Sequence, residues 1–109
     1  MWVVVYLPEA ELERERLSAK ERNALYNATA KLEALGPALG YPHTSAVAAT
    51  AGLRELRPRA GRSGWRALYR QVGDRFVIAA VAPEAKDDPP GFTRACVAAE
   101  ERLNGLKED

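Results

Sequence analysis

The chain has 109 residues, 47% apolar and 28% charged, with a formal net charge of +1. That length suits one domain with one modest core, so residues 1–109 are read as a single domain, globular rather than disordered. One histidine and one cysteine give neither a structural zinc site nor an internal disulfide, and no apolar run nears the roughly 20 residues that span a bilayer.

The opening "MWVVVYLPEAELE" has no basic start and turns acidic at once, so it is not read as a signal peptide and the expected location is the cytoplasm. Within it, residues 2–7 form a short run rich in β-branched and aromatic types, a buried-strand signal. Pro8 ends that strand and suits the first turn of a helix. A short charged helix over 9–17 follows, with Leu12 and Leu17 as its apolar anchors. Ser18 and Glu21 have the spacing of a capping box. The helix they start places Leu25, Ala28, Leu32 and Leu35 on one face and stops at Gly36-Pro37. Residues 36–52 show no period and are read as a long connection, with His43 as a surface residue in it.

Three strands are expected at about 53–58, 64–72 and 75–82, the last two joined by the two-residue turn Gly73-Asp74. That turn sets position 72 against 75, 69 against 78 and 66 against 81. Alternation then puts Trp65, Ala67, Tyr69, Phe76, Ile78 and Ala80 on a face under the helices. Arg66, Leu68, Arg70, Val77, Ala79 and Val81 fall on the opposite face, read as a groove floor. Arg57 shares that face if a loop at 60–63 sets it opposite Arg66, and Pro58 marks an edge or an end of its strand. Residues 91–106 read as a C-terminal helix with Phe92, Cys96, Ala99, Leu103 and Leu106 on its apolar side, Cys96 being core rather than nucleophile.

The small net charge hides an uneven distribution. Residues 1–50 carry five basic and six acidic side chains, −1; residues 51–82 seven and two, +5; residues 83–109 four and seven, −3. The central seven are all arginines: Arg54, Arg57, Arg59, Arg62, Arg66, Arg70 and Arg75. A guanidinium is always charged, and its planar fork matches phosphate oxygens, so a basic stripe between acidic ends points to an anion site. Such groups bind a nucleic-acid backbone or stabilise the charge of a phosphoryl-transfer transition state. Arginine is a poor base, which makes Lys86, just past the last strand, the titratable group of interest.

The succession "WVVVYLPEAE", "LEALGPALGYP", "GLRELRP", "GWRALYR", "FVIAAVAPEAK" and "AAEER" resembles the RelE/HigB superfamily of type II toxin–antitoxin toxins, closest to its HigB-like, phage-derived branch. The resemblance spans nearly the whole chain, and "ELR" and "WRxLY" carry most of it. It implies an α/β (α+β) fold, RelE-like, with a small antiparallel-rich twisted sheet, an N-terminal helical pair and a C-terminal helix. It implies an mRNA-cleaving toxin, commonly ribosome-dependent, silenced by a cognate antitoxin, here expected to be a helix-turn-helix protein. The reaction implied is attack of a ribose 2′-hydroxyl on its own phosphate, without metal or other cofactor. Matching motifs put the catalytic positions on Arg57, Arg66 and Lys86. The two arginines would hold the scissile phosphate, and Lys86 would be acid, base or charge stabiliser. Arg54, Arg59, Arg62 and Arg70 are the expected further RNA contacts. Arg66, as a groove residue, is expected to be dispensable for folding. The sequence departs from the family where a tyrosine catalytic in some relatives falls on Phe92, and where "APEAKDDPP" replaces an aromatic and paired lysines. The alternative is a catalytically weak or inactive member that binds RNA, or only its antitoxin, through the arginines. A small metal-free enzyme acting on another substrate is disfavoured, because no nucleophile–base pair is visible.

Overall fold

In the structure, a computed structural model, strand β1 (Val3–Tyr6) gives way through Leu7 to helix α1 (Pro8–Glu15). Residues 1–106 are described; Lys107, Glu108 and Asp109, counted in the acidic C-terminal balance, lie outside the described residues. Pro8 occupies a position whose N–H has no helical partner anyway, and Glu9 and Glu11 face the positive end of the helix dipole. Helix α2 (Ala19–Leu35) starts at Ser18, whose hydroxyl accepts from the Glu21 N–H at 3.3 Å. It stops at Gly36, at φ 55°, where any Cβ would collide with the Trp2 indole. Leu25, Ala28 and Leu32 are buried as the helical spacing requires, but Leu35 is 52% exposed, since it falls past the sheet. Leu12 is likewise exposed, and α1 buries Ala10 in its place. No helix among the described residues is long and apolar enough to cross a membrane.

The sheet has five strands, β2 (Thr44–Ala46), β3 (Arg54–Leu56), β4 (Trp65–Val72) and β5 (Arg75–Pro83) joining β1 in the order β1-β5-β4-β3-β2. β1 runs parallel to β5, and the other pairs are antiparallel. β2 lies in the stretch read as a loop, because three residues are too few to show a period. It is anchored by Thr44, whose buried hydroxyl meets the Tyr69 hydroxyl at 2.7 Å. Leu56 opposes Ala67, the register that sets Arg57 against Arg66 when extended by one pair, and β3 ends before Pro58.

The β4–β5 hairpin holds its expected register only as far as Tyr69–Ile78. There Ala79 bulges out, so Leu68 opposes Ala80, and Arg66 opposes Ala82 rather than Val81. The bulge exchanges faces. Val81 joins Tyr69, Phe76 and Ile78 in the core beneath α1 and α2, while Ala80 and Ala82 turn to the other side. Trp65, expected in the core, sits at the strand end and is partly exposed.

Helix α3 (Pro89–Asn104) corrects the largest expectation. Its Cys96, Ala99 and Leu103 pack on Leu53, Leu68, Val77, Ala79, Ala80 and Ala82, so the second sheet face is core and not an open groove floor. Apolar positions on both surfaces leave water together, and the hydrophobic gain decides the arrangement. Burial, with Glu100 and Glu55 nearby, pushes the Cys96 thiol up, in keeping with a packing residue. Leu106 lies beyond the helix end and is exposed.

β5 outruns its neighbour β1, which leaves an open edge past Ile78. An ion pair fills it. Glu13 of α1 accepts the Val81 N–H at 3.0 Å and takes Arg102 of α3 at 3.0 and 3.2 Å, while Arg102 donates to the Ala79 carbonyl at 2.8 Å. Two side chains thus satisfy backbone groups that a longer β1 would have paired. Glu13→Ala is expected to destabilise the fold by about 1–3 kcal/mol, the cost of an unsatisfied buried donor. Urea unfolding would show the midpoint falling with an unchanged slope; a midpoint equal to wild type would mean that water replaces the carboxylate at no cost.

Candidate anion-binding cleft

Arg66 is 3% exposed. Its Nη2 meets Glu84 at 2.6 Å and its Nε lies 3.4 Å from Glu55. Nη1 donates to the carbonyls of Ser63 at 2.6 Å and Trp65 at 2.8 Å, and Nη2 also reaches the Gly61 carbonyl at 3.4 Å. A guanidinium so buried needs counter-charge and full hydrogen bonding. The chain supplies the counter-charge and acceptors for both Nη atoms, while Nε, near Glu55, has no hydrogen-bond partner among the described residues, so a phosphate would have to displace Glu84 or a backbone carbonyl to reach the Nη atoms. The expectation of a solvent-facing Arg66, dispensable for folding, is therefore corrected: Glu84 in the turn after β5 and the carbonyls of the β3–β4 connection close over it.

Arg57 leaves β3 under different constraints. Its Nε donates to the Pro42 carbonyl at 3.0 Å, its Nη1 lies 3.4 Å from Glu55, and its guanidinium stands 5.3 Å from the centre of the Tyr41 ring. The Glu55 carboxylate, which also accepts from Ser45 at 2.8 Å, thus holds Arg57 and Arg66 together. Arg57 remains half-buried, with one side open.

The chain then makes a tight turn over Pro58–Gly61, in which Arg59 (φ 55°) and Ala60 (φ 56°) are both left-handed without being glycine. Such residues cost roughly 1–2 kcal/mol each and persist where their surroundings hold them. Glu21 does the holding. Its carboxylate accepts from Ser63 at 2.7 Å and from Arg59 at 3.3 Å, and so does not close the capping box that the Ser18–Glu21 spacing suggests. Gly61 follows at φ 91° against the Arg57 guanidinium, where a side chain would need both an unfavourable backbone and occupied space.

Between this turn and α2 lies a cleft of about 230 Å³. Ala24, Ala28 and Leu56 give it apolar walls. Arg57, Arg59 and Arg62 line it from the sheet side, Asn27 and Lys31 from α2, and His43 from the segment before β2. Glu21 and Glu55 offset Arg59 and Arg57, while Arg62 and Lys31 form no ion pair among the described residues. Concave, cationic and walled by apolar groups, the cleft suits a phosphate and the sugar attached to it.

The cleft gathers three of the arginines expected to bind RNA and not the others. Arg54 and Arg70 border a separate, wider cleft of about 630 Å³ beside Gly36–Gly40. Lys86 is exposed in the turn between β5 and α3, two residues past Glu84, and does not line the cleft of Arg57. Lys31 and His43 went unrecognised in the sequence because each reaches the arginines only across the fold. No spacing links the "YPH" that precedes β2 to Arg57, which follows β3. Among the described residues, no three His, Cys, Asp or Glu side chains group as a metal ion would require.

The family described as "Phage derived protein Gp49-like (DUF891)" matches residues 13–82. The fold is similar to that of the E. coli toxin RelE, solved as a mutant in the free state, with a TM-score of 0.68 at 14% identity over 94% of this chain and 97% of that one. It is also similar to a chain of the toxin–antitoxin complex RelBE2 from Mycobacterium tuberculosis, with a TM-score of 0.58 at 21% identity over 76% of this chain and 98% of that one. None of the curated proteins matches the chain. The order of elements thus agrees with an α+β, RelE-like fold.

Replacing Arg66 by Ala is expected to destabilise the protein by about 3 kcal/mol, because two carboxylates then share a site without their cation. Thermal or urea unfolding checks this. A variant as stable as wild type would return Arg66 to the surface role that alternation alone suggests.

Proposed function

We propose, from the premise that this chain belongs to the phage-derived Gp49-like family, that it is the toxin of a toxin–antitoxin pair and a metal-independent endoribonuclease acting on mRNA. The observation that carries the reading is the cleft of about 230 Å³ lined by Arg57, Arg59, Arg62 and Lys31, room for a phosphate with its attached sugar. Four cationic donors there stabilise the extra negative charge that develops when a ribose 2′-hydroxyl attacks its own phosphate. The products are a cyclic phosphate and a free 5′-hydroxyl. Cleavage of mRNA, on the ribosome in this reading, stops translation and growth.

Roles divide by exposure. Arg57 contacts the scissile phosphate, and Arg59 and Arg62 contact it or its neighbour. Arg66 acts as a positioning residue, through the Glu55 carboxylate that it shares with Arg57. Lys86, exposed beside that network, supplies charge to the RNA strand as it leaves the cleft. Arg54 and Arg70 extend the contact along the sheet. The antitoxin is a protein whose bound segment is acidic, since complementary charge steers it to the same arginines; a helix-turn-helix protein suits the role. One observation favours a second reading, a weak or inactive module that binds RNA or only its antitoxin. Phe92 has no hydroxyl and packs against the α3-side core, so it adds nothing to the chemistry.

Induced expression in cells, with and without the neighbouring reading frame, tests the function directly. Growth arrest with mapped mRNA cleavage, relieved by the neighbour, is expected; intact mRNA at full expression would leave the binding module. Arg57→Ala should lower the cleavage rate by about 10²–10³, as the loss of one oxyanion-type donor does. Lys86→Arg should keep the activity that Lys86→Ala reduces, because a fixed charge tolerates that exchange; equal loss in both would assign Lys86 a proton instead.

A further inference from the structure

His43 and Arg57 oppose one another one pair beyond the β2–β3 ladder, where the Arg57 N–H donates to the His43 carbonyl at 2.8 Å and Thr44 faces Leu56. Opposed residues in an antiparallel pair stand with Cβ atoms about 4.5–5.5 Å apart. The His43 N–H is fixed to the Gly40 carbonyl at 2.9 Å, so the backbone on both sides of the imidazole is held. The ring is half-buried and lines the cleft.

The charged groups that face the same space are Lys31 from α2 and Arg57, Arg59 and Arg62 from the sheet side; Glu21 and Glu55 stand behind Arg59 and Arg57. Guanidinium and ammonium groups do not accept protons at neutral pH. Both oxygens of Glu55 are engaged, by Arg57, Arg66 and Ser45, and Lys86 lies outside the cleft. Imidazole is the side chain that takes and returns a proton between pH 5 and 8. A phosphate held by Arg57 therefore has one proton acceptor beside it.

We propose that His43 is the general base of this cleft, a role that rests on the ribonuclease reading above. The 2′-hydroxyl gives its proton to the imidazole as the bond from the 2′-oxygen to phosphorus forms. The bond from phosphorus to the 5′-oxygen breaks, and that oxygen takes a proton from water. The imidazolium then returns its proton to solvent. No oxidant, metal or second substrate enters the balance. The arginines stabilise the pentacoordinate charge, and His43 provides the only step that needs a neutral partner.

The test compares wild type with His43→Ala, His43→Gln and Arg57→Ala on ribosome-bound mRNA between pH 5 and 9. Removing a general base should lower the rate about 10²–10⁴-fold. RNA affinity should stay within a few-fold of wild type, measured on an oligonucleotide methylated at the 2′-oxygen, which binds without reacting. The wild-type rate should rise with pH, since the base acts when neutral; both His43 variants should lose that pH limb, and added imidazole should restore part of the His43→Ala rate. His43 variants that cleave like wild type, or that keep its pH limb, overturn the proposal while Arg57→Ala stays slow and the ribonuclease reading stands. A folded wild type that cuts no RNA overturns both.

Discussion

A guanidinium charge sealed inside the end of a small sheet constrains everything around it. Arg66 needs acceptors for its nitrogens and negative charge within reach, because an unpaired buried ion costs several kcal/mol. The fold brings them from four places: negative charge from Glu55 on β3 and Glu84 past β5, and the carbonyls of Gly61 and of Ser63 with Trp65 along the β3–β4 connection and its end. Each contact locates a segment that has little core of its own. The turn before α3 is held by Glu84, and the irregular connection between β3 and β4 is held by its carbonyls. Through Glu55 the same charge sets the position of Arg57. Arginine stands in the middle of the sheet because it ties a loop, a turn and a neighbouring strand where a valine would touch only one of them.

That arrangement moves the open cationic surface away from where alternation would put it. α3 covers one face of the sheet, and α1 and α2 cover the other, so no broad open floor remains. The cleft of Arg57 stays open at the rim between α2 and the left-handed turn at Arg59 and Ala60. Strain in that turn is held by Glu21, reaching across from the first turn of α2, and the result points Arg59 and Arg62 into the cleft. Stability and site are coupled in two places: Glu55 serves the buried arginine and the exposed one, and Glu21 serves both the turn and Arg59.

Much of the fold was legible in the sequence, and the reasons are local. Gly73-Asp74 between alternating strands sets the hairpin register at Tyr69 and Ile78, and the 3.6-residue spacing of Leu25, Ala28 and Leu32 shows the buried face of α2. Tyr69 falls in the core, as its parity requires. The bulge at Ala79 left no trace, because "IAAVA" reads equally well in either register. β2 is too short to announce itself. The site was less legible than the fold. Alternation tells which face a residue takes but not what meets it there, and the Glu84 carboxylate that closes on Arg66 stands 18 residues later, past the end of β5. His43 and Lys31 join the arginines only through tertiary packing, so no spacing in the chain could have grouped them.

In the proposed function RNA is met at the cleft between α2 and the Arg59 turn, and not at the buried end of the sheet. The most direct test is a nuclear magnetic resonance titration of the labelled protein with a short RNA methylated at every 2′-oxygen, which binds without being cut. Backbone and side-chain shifts are expected to centre on Asn27, Lys31, His43 and Arg57 through Arg62, with the Arg66 guanidinium signals unchanged. Shifts centred instead on Arg66, Glu84 and Lys86, with the α2 residues silent, would contradict that reading.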